Sequence, residues 1–467
     1  MIPARLQWLV EDGRPARELA ERFSAAGRSL YLVGGSVRDA FLDRAHEDLD
    51  FTTDARPQEI RKIVSGWAEA VYRIGEAFGT IGVHRGEFRA EITTFRREIY
   101  RDASRKPQVE YSDQIEEDLS RRDFTVNAVA LSLPELTAVD PYGGLVDLAK
   151  HVLRTPLTPE ISFGDDPLRM LRLFRFQSTI GFAPDAAARL AVADMASRLQ
   201  IVSAERIRDE LSKLLLGDQA ADALAGLVES GLASYTIPEL TSLAMEQDPV
   251  HRHKDVLAHT LAVVHKTEPD LTVRLAALLH DIGKPATRNF EAEGVTFHHH
   301  EVVGSRMARE RLRALRYPND VVDDVSRLVF LHLRPHTLEM GWSDSAVRRY
   351  VRDAGPLLSR LNQLVRADVT TANRSRAAAI ATRLDELDAR IEELAAREEL
   401  EAMRPPIDGH QAMRYLGLEP GPLVGEVMDL LYERRIESGP YPAGEAYALL
   451  REWAIEHGRP DPDGPSS

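Results

Sequence analysis

The stretch Ser29-Leu30-Tyr31-Leu32-Val33-Gly34-Gly35-Ser36-Val37-Arg38-Asp39, followed by Glu47-Asp48-Leu49-Asp50-Phe51-Thr52-Thr53-Asp54, decides how this chain is read. Ser29 to Val33 is apolar and partly β-branched and predicts a strand. Gly34 and Gly35 let the backbone turn sharply and come close to a ligand. Ser36 and the amides after it can hold phosphate oxygens, and Arg38 can neutralise them. Asp48 to Thr52 predicts a second short strand, along which alternation sends Asp48 and Asp50 to the same face. Two carboxylates on one face, opposite a phosphate-holding loop, suit a pair of Mg²⁺ ions, which take oxygen ligands and clamp the attacking and leaving oxygens of a phosphoryl transfer. An Asp-x-Asp pair alone is common and reads first as an acidic edge strand; the Gly-Gly-Ser-x-Arg-Asp run upstream changes that.

Bulk properties bound the rest. The chain is long enough for roughly three or four domains. Hydrophobic content of 43% and charged content of 28% fit a globular protein with sizeable cores. No stretch approaches a membrane span, and Met1-Ile2-Pro3-Ala4-Arg5 lacks a secretory core, which together point to the cytoplasm. With 0 Cys, disulfides and thiolate metal sites are excluded, so any metal sits on His, Asp and Glu. A net charge of −15 argues against a wholly basic nucleic-acid binder but leaves local patches open. Such patches occur at Arg96-Arg97, Arg101 to Lys106 (including Arg105), Arg121-Arg122 and Arg169 to Arg175, whereas acidity concentrates in Asp385 to Glu401.

Residues 1–145 read as an α/β head with a mixed sheet: a helix from Arg17 to Ala26, an amphipathic helix from Pro57 to Glu69, and paired strands Thr80 to His84 and Phe88 to Thr94 around Gly86. The pattern then turns helical: a neck over 146–249, a histidine-rich domain over 250–375, a C-terminal helical domain over 376–457 and a Pro/Gly/Asp/Ser-rich tail over 458–467 expected to be disordered. Ile380, Leu384, Leu387, Ile391 and Leu394 form one apolar stripe on a long helix, read as a packing face.

A second chemical run is Arg121-Arg122-Asp123-Phe124-Thr125-Val126-Asn127-Ala128. Its arginines offer donors to a triphosphate or RNA backbone, and Asp123 and Asn127 can bond a ribose hydroxyl; a polar turn before a buried strand is the plainer reading. With the Gly34 to Asp39 and Asp48 to Asp50 runs, it resembles the nucleotidyltransferase head of class II tRNA CCA-adding enzymes and bacterial poly(A) polymerases. The resemblance implies that Arg122, Asp123 and Asn127 contact the ribose and phosphates of a bound nucleotide, alongside Gly34, Gly35, Ser36 and Arg38. Asp43 stands where the family usually has glycine. Glu91, on the strand with Thr93 and Thr94, is a candidate third carboxylate for the metal face or an ordinary strand residue paired with Arg89 or Arg96.

The third run is Phe163-Gly164-Asp165-Asp166-Pro167-Leu168-Arg169-Met170-Leu171-Arg172. It reads as a capped helix carrying an Asp166–Arg169 salt bridge. An Arg and a carboxylate side by side can also pair with the Watson–Crick edges of cytosine and adenine but leave uracil groups unpaired, which is costly. The resemblance implies that Asp166 and Arg169 form such a template, with Arg172 in the same nucleotide-binding set.

The histidines form a separate system. His280-Asp281 follows the apolar Leu275 to Leu279, and His259, His300, His332 and Asp368 lie at predicted helices that can converge in a bundle core. The pattern resembles the HD phosphohydrolase superfamily and implies a divalent transition metal on these ligands; His298-His299-His300 reads equally as a surface tract. Leu416-Gly417-Leu418-Glu419-Pro420-Gly421-Pro422 resembles the C-terminal segment of HD-containing CCA-adding enzymes or is a plain helix–turn–helix connection.

The expected function is addition of C, C and A to tRNA 3′ ends from CTP and ATP, with Asp48 and Asp50 holding Mg²⁺. The alternatives are a poly(A) polymerase and, from another class, an HD-type phosphohydrolase with a nucleotide- or RNA-binding head.

Overall fold

The computed structural model describes residues 2–45, 49–75, 79–99, 108–245, 255–291, 294–337, 343–369, 374–398 and 404–463. The chain divides into two compact units, Met1–Thr241 and Ser242–Ser467. Among the described residues no helix is long and apolar enough to cross a membrane.

The first unit is built on nine strands of the head: β1 (Leu30–Val33), β2 (Leu49–Thr53), β3 (Ala70–Gly75), β4 (Thr80–Arg85), β5 (Phe88–Thr94), β6 (Arg96–Ile99), β7 (Gln108–Tyr111), β8 (Ala130–Ser132) and β9 (Ala138–Val139). Seven of them form one mixed sheet in the order β3-β4-β5-β2-β1-β8-β9, and β6 pairs with β7 apart from it. Within the seven, β2 and β5 run parallel and the other neighbours antiparallel. A parallel pair needs a crossover, and the helix Pro57–Val64 lies in that connection.

Register explains why this sheet has a wet face and a dry one. Ile81, Ile92, Phe51, Leu32 and Leu131 are successive partners across β4, β5, β2, β1 and β8. All are at most 1% exposed and belong to the main core with Phe23 and Ile60. The next row, shifted by one residue on each strand, faces the other way because side chains alternate. It consists of Gly82, Glu91, Asp50, Val33 and Ala130. Val33 and Ala130 join a second cluster with Phe95, Ile115, Leu119 and Ala128, while Asp50 and Glu91 remain reachable.

Local readings differ in detail. The helix expected over 57–69 stops at Val64, after which Ser65 is extended and β3 begins at Ala70. The end of the Arg121 to Ala128 run forms a 3₁₀ turn, Thr125–Asn127, before β8. The helix read in the Phe163 to Arg172 run spans Leu168 to Ile180 and closes at Gly181 in the left-handed region. It packs against Ala204–Leu215 and Ala220–Glu229.

Among its described residues the second unit is helical apart from one strand pair, Asn289–Glu291 with Gly294–Thr296. In its long helix Arg374–Glu398, Leu384, Leu387 and Leu394 are buried, so the apolar stripe packs inward. Three acidic residues of that helix are matched by arginines: Asp385 and Asp388 by Arg366, and Glu398 by Arg348 and Arg435. The last helices, Gly409–Leu416, Pro422–Ser438 and Ala443–Glu456, share a core of Ala412, Val427, Leu431, Leu450 and Trp453. The tail expected to be disordered carries contacts up to Asp463: Arg451 pairs with Asp461 at 2.6 Å and the Tyr415 hydroxyl donates to Asp463 at 2.8 Å.

Candidate functional site

The first candidate site is a cavity of about 1090 Å³ over the wet face of the sheet. Its lining joins Gly34 and Gly35, the strand residues Asp50 and Glu91, and Arg122, Asp123 and Asn127 from the turn before β8. Arg172, Arg175 and Phe176 enter from one face of the helix Leu168–Ile180, at the i, i+3, i+4 spacing that shares a helix face. Six arginines (Arg38, Arg89, Arg96, Arg122, Arg172 and Arg175) face three carboxylates (Asp50, Glu91 and Asp123) in that lining, a surplus of cation suited to a polyphosphate.

Gly34 has φ +79°, in the left-handed region that glycine enters without penalty. A Cβ there would lie 3.1 Å from Arg122 Nη1 and 3.5 Å from Asp50 Oδ2, so a larger residue would fill the space between cation and carboxylate. Asp50 and Glu91 are direct partners on the parallel strands β2 and β5 and point to one face. Asp48 lies outside the described residues, as do Arg101, Arg105 and Lys106. The carboxylate pair that the structure describes is therefore Asp50 with Glu91, and its all-oxygen donor set fits Mg²⁺.

Ser36 is not brought to the cavity. It is buried, and its hydroxyl donates to the Val33 carbonyl at 3.0 Å, bracing the turn rather than facing a ligand. Arg38 does reach the cavity, held by Asp39 at 2.7 and 2.8 Å and by Asn127 Oδ1 at 2.8 Å. Asp123 accepts from Phe124 N at 2.9 Å, Asn127 Nδ2 at 2.8 Å and Arg172 Nε at 2.9 Å. Burial pushes its carboxyl up, but Arg172 and the Asn127 hydrogen bond overcome this and hold it well below the usual carboxylate range. Arg122 is lowered, mainly by burial, and among the described residues its buried Nε has no hydrogen bond.

Asp166 and Arg169 are not paired side chain to side chain in the way the sequence suggested. Asp166 Oδ2 accepts from Arg206 at 2.8 Å and its Oδ1 from the Leu168 amide at 3.2 Å. Arg169 is buried, donating to the Ser162 carbonyl and hydroxyl at 3.3 and 3.0 Å and to the Arg121 carbonyl. Neither belongs to the cavity lining.

Three contributors escaped the sequence reading. Asp118 is fully buried and holds Arg121 at 2.7 Å and Arg122 at 3.4 Å; a carboxylate one helical turn before an arginine was the available signal. Glu210, from a remote helix, pairs with Arg175 at 2.9 Å and Arg172 at 3.4 Å and left no local signal. Phe176 carries the Arg175 guanidinium 3.8 Å from its ring centroid, a cation–π contact invisible without the fold.

The second candidate site lies in the second unit. All six expected ligands converge. His259, His280 and Asp368 offer mutually close ligand atoms, as do Asp281, His300 and His332. The two groups meet through His259 Nε2–Asp281 Oδ2 at 3.3 Å and His280 Nε2–Asp281 Oδ2 at 3.2 Å. His298 and His299 are exposed, so only His300 of the histidine tract is turned inward.

Backbone carbonyls set the tautomers. Nδ1 of His280, His300 and His332 faces the carbonyls of Ala277, Phe297 and Val329 at 2.8, 2.9 and 2.6 Å. A carbonyl can only accept, so each Nδ1 carries hydrogen and each Nε2 is the nitrogen turned to the cluster, the orientation of a ligating imidazole. Among the described residues, His332 Nε2 is buried without a hydrogen bond. Burial and the neighbouring His280 push His332 down to about 3, keeping it neutral. Burial lowers His280, but Asp281 and Asp368 more than reverse this and raise it to about 10: the cluster's carboxylates demand positive charge. Mixed imidazole and carboxylate donors fit a divalent transition metal. Lys284 Nζ stands 2.7 Å from Asp281 Oδ2 at the edge of the same cluster.

Comparison with known proteins supplies independent findings. Residues 30–154 match the family of the poly A polymerase head domain, 181–243 the probable RNA and SrmB-binding site of polymerase A, and 256–390 the HD domain. The chain is 34% identical over 439 residues to the A-adding tRNA nucleotidyltransferase of Deinococcus radiodurans, covering 91% of the chain and 95% of that protein. It is 33% identical over 442 residues to the CC-adding tRNA nucleotidyltransferase of Thermus thermophilus, covering 91% and 94%. The CCA-adding enzyme of Anoxybacillus flavithermus is 38% identical over 234 residues, 50% of the chain and 57% of that enzyme. The crystal structure of the Bacillus stearothermophilus CCA-adding enzyme in complex with CTP superposes with a TM-score of 0.68 at 26% identity, covering 95% and 98% of the two chains.

Proposed function

This chain belongs to the tRNA nucleotidyltransferase family, and from that premise we propose that it builds the CCA end of tRNA, adding C, C and A from CTP and ATP. The observation that carries the reading is Asp50 beside Glu91, facing the Gly34 turn and Arg122 inside an arginine-rich cavity. That layout serves transfer of a nucleotidyl group to an RNA 3′ hydroxyl, a reaction needing charge neutralisation and positioning but no side-chain nucleophile.

In this reading Arg122 and Arg38 receive the triphosphate where Gly34 leaves room, and Asp123 with Asn127 holds the ribose. Asp50 and Glu91, together with Asp48, hold Mg²⁺. When bound, Mg²⁺ lowers the pKa of the attacking hydroxyl and neutralises the departing pyrophosphate. Asp118 positions Arg122, and Glu210 positions Arg172 and Arg175. Base choice is assigned to Asp166 and Arg169. The neck spans 146–249, the HD domain 250–375 and the C-terminal helical domain 376–457. A tRNA substrate places the work in the cytoplasm. The HD cluster of His259, His280, Asp281, His300, His332 and Asp368 takes a divalent transition metal and supports a separate phosphohydrolase activity.

A second reading, addition of only part of the CCA sequence, is favoured by one observation: two relatives that match nine-tenths of the chain are an A-adding and a CC-adding enzyme. One experiment separates the two. The protein is given tRNAs ending before CCA, after C and after CC, each with CTP, ATP or both, and the products are sequenced. Completion of all three substrates with both nucleotides supports CCA addition. Growth confined to C residues or to the final A supports the partial reading, and no growth on any substrate refutes both.

A further inference from the structure

The cavity extends beyond the residues that the incoming nucleotide accounts for. From Asp50, the cavity-facing row continues to Glu91 on β5, Gly82 on β4 and Tyr72 on β3, each the register partner of the one before. Gly82 adds no side chain to this floor, and a Cβ there would lie 3.4 Å from Tyr72 Cβ. Tyr72 is 49% exposed and lines the cavity, so among the described residues its ring is left partly uncovered there. Arg89 lies two residues before Glu91 on the same face, is exposed, and makes no ion pair or hydrogen bond among the described residues. The volume of about 1090 Å³ exceeds what a single small ligand ordinarily needs.

We propose that this β3–β5 end of the cavity is the subsite for the 3′-terminal nucleotide of the acceptor RNA, its base stacked on Tyr72 over Gly82 and its phosphate held by Arg89. The assignment rests on the nucleotidyl-transfer reading above. The reaction requires two substrates on either side of Asp50 and Glu91. The triphosphate takes the Gly34–Arg122 side, where the phosphate-binding groups are, which leaves the Tyr72 side for the hydroxyl donor. At a strand spacing of about 4.8 Å, Tyr72 stands about 10 Å from the Glu91 strand, a span that a nucleotide bridges when its 3′ hydroxyl is at the carboxylates. An aromatic face and one arginine recognise a base and a phosphate without reading sequence, as an acceptor whose terminal base changes at each addition demands.

The test is steady-state kinetics of Tyr72→Ala and Arg89→Ala with CTP and a tRNA lacking CCA, together with crosslinking of the wild-type protein to the same tRNA carrying a 3′-terminal 4-thiouridine. Loss of stacking should raise the KM for tRNA about 5- to 100-fold in Tyr72→Ala while the KM for CTP stays unchanged, and Tyr72→Phe should restore it. Arg89→Ala should also raise the tRNA KM. The crosslink should fall on β3–β5. An unchanged tRNA KM, or a KM for CTP that rises in parallel, overturns the subsite. A wild-type protein that adds no nucleotide refutes the transfer reading instead, and the crosslink then still decides: labelling away from β3–β5 overturns the subsite, and labelling of Tyr72 or Arg89 supports it.

Discussion

Gly283 and His300 are in backbone contact: a Cβ placed on Gly283 would lie 2.2 Å from the His300 carbonyl oxygen and 2.7 Å from the Gly304 amide. The φ of Gly283, −76°, is one any residue adopts, so the requirement for glycine comes from proximity alone. This approach seats the helix His300–Ala314 against the turn that follows His280 and Asp281. Gly283→Ala must push that helix away. The expected result is a loss of roughly 1–3 kcal/mol of stability and of bound transition metal, because His300 moves off Asp281. Thermal unfolding and elemental analysis of the purified variant measure both. Full metal content with an unchanged midpoint would show that the contact is slack.

The carboxylate site and the histidine cluster belong to different units of the chain. Asp50→Asn should lower nucleotide addition at least about 100-fold with no change in transition-metal content. His280→Ala should do the reverse. Single-turnover addition and metal analysis on the same preparations check the pair. Loss of both properties in one well-folded variant would mean that the sites are coupled.

Asp43 has φ +53°, a conformation that costs an L residue strain that glycine avoids. Among the described residues its ion pair is with Arg5 at 3.2 Å, which joins two well-exposed side chains and contributes little. Asp43→Gly relieves the strain at the cost of a more flexible unfolded chain. The net expectation is a gain of about 0.5–1 kcal/mol, read as a higher urea midpoint at constant slope.

Much of the head was legible because its signals are local. Alternation in Leu30 to Val33 and Leu49 to Thr53 places the strands, and the register then puts Asp50 beside Glu91. Convergence of His259, His280, Asp281, His300, His332 and Asp368 was legible for a different reason: each sits at a helix position that a bundle turns inward. What the sequence concealed is long-range or rotational. Glu210 reaches Arg175 across 35 positions of chain, with no motif to announce it. The direction of the Ser36 hydroxyl was not legible, because a hydroxyl after a glycine turn can face either a ligand or its own backbone, and here it donates to the Val33 carbonyl.

Acid stability should report on the buried arginine–carboxylate pairs. Asp118 and Asp123 are both held below the ordinary carboxylate range: burial raises them, and Arg121 with Arg122, and Arg172 with Asn127, more than compensate. A depressed folded-state pKa gives stability that is fully present above the unfolded value, near pH 4 for Asp, and is lost as pH falls through the folded value. Unfolding free energy of the wild type should therefore drop below about pH 4, and Asp123→Asn should flatten that acid limb while lowering the plateau above it. Urea unfolding from pH 2 to 7 measures this; identical acid limbs would show that the pair is not coupled to folding.

The last prediction concerns base choice and starts from what Asp166 and Arg169 touch. Asp166 is engaged by Arg206 at 2.8 Å, and Arg169 is anchored to Ser162 and the Arg121 carbonyl. To present a Watson–Crick edge, Asp166 must exchange Arg206 for the base, whereas Arg169 must turn part of its fork outward while keeping its anchor. Arg169→Ala should therefore degrade discrimination against UTP and GTP more than it weakens triphosphate binding, because unpaired polar groups on the wrong base no longer meet a fixed partner. Arg206→Ala should act oppositely. Removing a half-exposed partner worth about 0.2–1 kcal/mol should lower the KM for CTP and ATP about 1.5- to 5-fold and leave selectivity intact. Competition assays with all four nucleotides on a tRNA lacking CCA, with the unfolding midpoint checked for each variant, decide the matter. If Arg169→Ala selects C and A as well as the wild type does, Arg169 is a brace between Ser162 and Arg121, and the choice of base is made by the arginines and Asp123 inside the cavity.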